Sequence, residues 1–175
     1  ATPGDLHGYT FSIFELPGFV LLGAVCGLVA VAFNKLLHKG EDLYEDWKIH
    51  PVLKPVTGGL ALGLLGFGFI YALRAAHPES GVDVPMFYGN GYMTIRELLD
   101  PNAYTSGSII AKSVILLMLL VLLKMVGTVF TLASGGSGGV FAPSLFLGAV
   151  AGAALGVALE RVGLMPAGGS PAAYA

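Results

Sequence analysis

Apolar residues fall into four runs along the chain, over about residues 19–37, 56–73, 109–133 and 144–159, with polar and breaker-rich intervals between them. A helix needs about 20 predominantly apolar residues to cross the ~30 Å hydrocarbon core of a bilayer. The pattern therefore predicts an all-α polytopic membrane protein with about four membrane helices and additional short re-entrant or interfacial helices. The fourth run is short, ~27 Å at 1.5 Å per residue. Glycines recur inside the runs. Gly23 and Gly27 stand four apart in the first, and Gly148, Gly152 and Gly156 repeat every fourth residue in the last. The second carries Gly58, Gly59, Gly63, Gly66 and Gly68. Small residues at this spacing let another helix approach closely.

The intervals differ in kind. Residues 38–50 mix Lys39, Glu41, Asp42, Glu45, Asp46 and Lys48 with Tyr44 and Trp47, which suits an interfacial loop with an aromatic belt. Residues 1–18 look like a connector entering the membrane. Residues 78–106 form a long break around the Gly89-Asn90-Gly91 turn and Pro101, with a short amphipathic surface helix near Arg96, Glu97 and Asp100. In the third run Lys112 can reach the interface, whereas Lys124 lies deep. A lysine at depth costs ~2.5–3.5 kcal/mol on the insertion scale, so it must face a partner, a wet cavity or the interface. Thr128 and Thr131 follow at i+4 and i+7 and share its helix face. Ser170 and Pro171 start a final turn as N-cap and N1 residue.

The third and fourth runs are joined by Ser134-Gly-Gly-Ser-Gly-Gly-Val-Phe-Ala-Pro143. Irregular backbone at membrane depth must be buried in protein or line a wet cavity. Pro143 fits the first turn of the following helix. The amides of Gly139, Val140, Phe141 and Ala142 are then free donors at a helix start that carries roughly half a positive charge. Such an end makes an anion site without a charged side chain.

Composition agrees with the membrane assignment and removes other classes. Charged residues are 11% of the chain and the mean hydropathy is +0.78, against roughly 25% charged residues in soluble domains. The net charge of −2 without clustered Lys and Arg speaks against nucleic acid. Cys26, the single cysteine, sits in an apolar run as a buried thiol, and His7, His38, His50 and His77 share no metal-ligand spacing. No cofactor is expected. The glycine loop meets neither the dinucleotide fingerprint nor the phosphate-loop pattern, since the sixth position from Gly136 is Phe141 and no lysine follows the glycines.

Magnitudes bear on which anion the loop would take. Hydrogen bonds to a charged group return ~1.5–3 kcal/mol net each and a helix terminus up to ~2 kcal/mol. An isolated ion in a low-dielectric medium loses tens of kcal/mol of hydration. A few amides therefore hold a partly hydrated monovalent anion, weakly enough for passage. The alternative is a membrane-embedded enzyme binding an anionic substrate at the same loop, with Ser134 or Ser137 as its nucleophile.

Residues 136–149, Gly-Ser-Gly-Gly-Val-Phe-Ala-Pro-Ser-Leu-Phe-Leu-Gly-Ala, strongly resemble the Gly-Gly-x-Phe-x-Pro motif of the CLC voltage-gated chloride channels and chloride/proton antiporters. Asn34-Lys35, Gly58-Gly59, Gly89-Asn90-Gly91-Tyr92, and Lys124 with Thr128 resemble the later membrane half of that family. The resemblance implies a CLC-type inverted-repeat helical bundle, with residues 1–175 a partial membrane domain truncated at both ends. It implies a multi-pass integral protein that transports chloride or a similar small anion across the lipid bilayer, with no enzymatic activity. It also implies a homodimer whose interface lies mostly outside this stretch. By the same resemblance the amides of Val140 and Phe141 bind chloride and Gly138 and Gly139 shape the loop. Gly136, Ser137, Ala142 and Pro143 complete the motif, while Lys124 and Thr128 line the pathway or support it. None of Glu15, Glu41, Glu45, Glu79, Glu97 and Glu160 sits in the context of the family's gating glutamate, so the resemblance leaves channel and exchanger both open.

Overall fold

The first helix begins with the first apolar run but continues well past its end. In the computed structural model, which describes residues 16–78, 81–105, 108–165 and 169–175, helix α1 runs Leu16–Asp46. The polar stretch expected as a loop is thus helical as far as Asp46. No proline interrupts α1 between Pro17 and the end of the helix. Gly40 is pressed onto helix α6 (Val114–Ala133): a Cβ there would lie 2.3 Å from Val129 Cγ1. Tyr44 is buried one turn later. The Lys54 ammonium donates to the main-chain oxygens of Tyr44 and Glu45, a cation at the negative end of the helix dipole. At ~46 Å the helix is longer than the hydrocarbon is thick, so its charged last turns can stand beyond it. The connector expected over residues 1–18 lies, as far as residue 15, outside the described residues.

Helix α2, Leu53–Ala76, packs on α6 at Gly58 and through Leu62, which faces Gly127 of α6. A Cβ on Gly58 would sit 2.3 Å from Ser134 Oγ and 2.5 Å from the Phe130 oxygen. Gly66 accommodates Tyr88, whose hydroxyl donates to the Leu62 oxygen at 2.5 Å. Gly59, Gly63 and Gly68 meet nothing within 4 Å. The predicted amphipathic helix is present as α3, Tyr92–Leu99, followed by α4, Pro101–Thr105. Tyr104 ties the two together by donating to the Leu98 oxygen at 2.8 Å. Burial, aided by the Glu97 and Glu160 carboxylates, pushes its phenol well above the ordinary tyrosine range.

The third apolar run is two helices, not one. It divides at Ser113 into α5, Ile109–Lys112, and α6, Val114–Ala133. Ser113 is extended (φ −109°, ψ 102°) and its hydroxyl accepts from the Leu116 amide. Ser108 caps α5 in the same way through the Ala111 amide. Serine favours this N-cap role over a place inside a helix; Ser108 starts the run and Ser113 divides it. Helix α7, Phe141–Val162, is 22 residues long, ~33 Å, somewhat longer than the apolar run suggested. The last turn, Pro171–Ala173, is a 3₁₀ turn capped by Ser170.

Helices α6 and α7 form the centre, with α1 across both, α2 on α6 and α3 on α7. Leu98, Leu117, Leu120, Val121, Phe146 and Val150 are fully buried between them. Among the described residues every regular element is helical. Four helices, α1, α2, α6 and α7, are long and apolar enough to cross a membrane. The outer faces of α1 and α2 are apolar as well, with Val20, Leu28, Leu64 and Phe67 more than 70% exposed. Such faces suit a lipid solvent.

The glycines of α7 pack differently from the expectation. The chain's own final turn lies closest to them: Cβ atoms would fall 1.8 Å from the Tyr174 oxygen at Gly152, where Leu22 of α1 also stands at 3.3 Å, and 2.8 Å from Pro171 at Gly156. Gly148 meets nothing within 4 Å, and neither do Gly23 and Gly27 of α1.

Candidate functional site

The glycine loop has two halves with different tasks. Its first half stops α6. The Gly135 amide donates to Leu132 O at 3.0 Å and the Gly136 amide to Thr131 O at 2.9 Å, the paired bonds of a Schellman ending. Gly135 has φ +88°, a conformation that side chains disfavour. A Cβ on Gly136 would lie 2.5 Å from the Thr131 oxygen. Both glycines are thus explained by the helix end.

The second half is left open. Helix α7 begins at Phe141 with Val140 as N-cap, a residue that has no side-chain acceptor, and its first turn holds no acidic residue. The first bond back is from Ser144 N to Val140 O, 2.9 Å, and the Ser144 hydroxyl donates to the same oxygen at 2.7 Å. Among the described residues no hydrogen-bond acceptor meets the amides of Gly138, Gly139, Val140, Phe141 or Ala142. Pro143, buried in the third helical position, has no N–H to satisfy. Neither Gly138 nor Gly139 has a positive φ, and a Cβ on Gly139 would meet nothing within 4 Å. Among the described residues no strain or contact accounts for that glycine.

The open half borders a cavity of about 440 Å³. Ser137, Gly138, Gly139, Ala142 and Pro143 form one side; Lys124, Gly127, Thr128 and Thr131 of α6 form another, and residues 87–90 close the third. The stripe from Lys124 to the loop expected from its spacing therefore shares one cavity with the glycines. Gly136 does not line it. Val140 and Phe141 do not line it either, and are 46% and 76% exposed. On the other side of α7's first turn a smaller cavity, about 290 Å³, lies against α1 between Phe33, Asn34, Ser144 and Gly148. Cys26, expected as buried, is half-buried there.

Lys124 does not snorkel. It is 3% exposed, and Nζ donates to Phe87 O at 2.9 Å and Gly89 O at 2.6 Å. The ammonium lies 5.1 Å from the centre of the Phe146 ring, a cation–π distance. Thr128 Oγ1 donates to Lys124 O at 2.8 Å and Thr131 Oγ1 to Gly127 O at 2.9 Å. Both hydroxyl hydrogens are held by their own helix, so these threonines present oxygen, not hydrogen, to the cavity. The Ser134 hydroxyl is buried and donates to Thr131 O. Among the described residues neither Ser134 nor Ser137 is hydrogen-bonded to a histidine or a carboxylate, the partners that activate a serine nucleophile.

Sequence reasoning singled out the Gly89-Asn90-Gly91 turn but did not bring it to the loop. Its φ values of +59° at Gly89 and +74° at Gly91 bend the chain so that Phe87 and Gly89 turn their oxygens to Lys124. Gly91 packs flat on Phe146, where a Cβ would be 2.3 Å from the ring. The signal available was indirect: a deep lysine requires acceptors, and the nearest breaker-rich segment was the place to look for them.

The class these features define is an all-helical, multi-pass integral membrane protein with a crevice, lined in part by polar groups, at a glycine-rich helix start. A family model described as "Voltage gated chloride channel" matches residues 4–175, and the chain belongs to that family. It is 34% identical over 146 residues to chloride channel protein CLC-e of Arabidopsis thaliana, covering 81% of this chain and 18% of that protein. It is 31% identical over 145 residues to the H(+)/Cl(−) exchange transporter ClcA of Vibrio parahaemolyticus, covering 81% and 26%. The chain thus spans about a fifth to a quarter of the length of these two relatives. No solved structure matches it.

Proposed function

We propose that this chain forms one wall of a transmembrane pathway for chloride or a similar small anion. The anion is held by main-chain amides at the start of α7. Val140 and Phe141 are the primary donors, and Gly138 and Gly139 leave room for the ion. The observation that carries this is the run of amides from Gly138 to Ala142 with no acceptor among the described residues, at a helix start with neither a capping side chain nor an acid. A dipole end left open in this way favours an anion. Similarity to both a named channel and a named H(+)/Cl(−) exchanger supports chloride as the ion without choosing between the two modes of transport. The whole protein is proposed to act as a homodimer, with an interface mostly outside these residues.

The amides give weak binding, which transport needs. Each contributes ~1.5–3 kcal/mol against a hydration loss far larger, so the ion keeps part of its water shell. Crystals of the full-length protein soaked in bromide should show anomalous density within hydrogen-bond reach of the Val140 and Phe141 amides. Density confined to other places would overturn the assignment.

A further inference from the structure

A cavity that admits an anion should not present carbonyl oxygens to it, yet Phe87 and Gly89 both line this one and both have main-chain oxygens turned towards its interior lysine. Among the described residues no other donor reaches either oxygen. Lys124 takes both, and its stem places the ammonium where Phe146 covers it. We propose that Lys124 sets the sign of this wall. It withdraws two negative dipole ends from the ion's path and leaves a buried positive charge behind them. The residue is therefore a determinant of selectivity between anions and cations. This rests on the chloride pathway proposed above and assigns a further task within it.

The same geometry explains how a full positive charge can border a pathway without trapping the ion. Two of the three ammonium hydrogens are occupied by oxygens and one face is covered by an aromatic ring. What the anion feels is the field of a buried positive charge partly offset by two dipoles, in the range of a weak site rather than an ion pair. Gly89 and Gly91, through their positive φ, make the turn that brings the oxygens to the lysine. Without the lysine the same turn would present two bare acceptors, which is how cation pathways are lined.

The test uses the full-length protein in liposomes and reads the chloride-to-potassium permeability ratio, not the total flux. Lys124→Arg keeps the charge and the donors and should hold the ratio near that of the unsubstituted protein. Lys124→Met keeps the stem but bares both oxygens, and should lower the ratio about tenfold, the size of losing one charge-assisted bond. If Lys124→Met does not fold, Lys124→Gln, which can serve one oxygen at most, is read in its place and should also lower the ratio. A lysine that serves only to hold the fold would reduce total flux and leave the ratio unchanged; that result overturns the proposal while leaving the chloride pathway standing. An unsubstituted protein that passes no chloride would overturn both.

Discussion

At the scale of single residues the glycine loop separates into positions that answer to the fold and positions that do not. Gly135 needs its left-handed φ of +88°, so Gly135→Ala should cost about 1 kcal/mol or more of stability. Gly139 has an ordinary φ and open space beside it. Gly139→Ala should therefore leave thermal unfolding unchanged or slightly raised, since it removes freedom only from the unfolded chain. The added methyl would nonetheless project from a cavity-lining residue. Chloride affinity, measured by calorimetric titration of the full-length protein, should fall roughly tenfold, the size of losing one hydrogen bond to the ion. Unchanged affinity in a stable Gly139→Ala protein would remove the glycine from the site. The sequence showed a loop of glycines but not this division. Gly135, Gly136 and Gly139 are identical letters, and only the two bonds back to Leu132 and Thr131 reveal which of them end the helix.

At the scale of helices, spacing predicted small-residue faces but not their partners. The α7 repeat of Gly148, Gly152 and Gly156 is used at two of its three positions, by the final turn of the same chain. Gly152→Ala should displace the Tyr174 main chain and destabilise by ~1–3 kcal/mol. Gly148→Ala should be close to neutral in the same denaturation assay, because nothing lies within 4 Å of it. Equal losses at both would mean that Gly148, like Gly152, is closely packed. The four spans themselves were legible because twenty apolar residues have few other uses. Their ends were not. Helix α1 outlasts its apolar run by nine residues, held by the seat of Gly40 on α6 and by the reach of Lys54 to its last carbonyls. The third run breaks at Ser113 because one hydroxyl caps better than it continues. In each case a single polar contact moved a boundary that hydropathy alone had set.

For the whole molecule the question is which surfaces meet lipid and which meet water. Hydropathy treats Val20, Leu28, Leu64 and Phe67 as it treats the buried Leu117 and Leu120; the fold puts the first group outward and the second in the core. The cavity walls, by contrast, mix polar and small residues with Leu62, Phe87 and Leu132, drawn from α2, α6, the glycine loop and the 87–90 turn, a grouping that no linear pattern contains. If the outward face is lipid-covered and the cavity is wet, cysteines introduced one at a time in the full-length protein, with Cys26 replaced by serine, should react in two classes. Val20→Cys, Leu28→Cys and Phe67→Cys should resist a charged, membrane-impermeant thiol reagent applied from either side, while Ser137→Cys and Asn90→Cys should react. Chloride should slow the reaction at Ser137→Cys by competing for the adjacent amides, and a large anion that cannot enter should not. Fast labelling at positions 20, 28 and 67 would place water where lipid is expected. Labelling at position 137 that ignores chloride would separate the cavity from the ion and leave the open start of α7 without its proposed occupant.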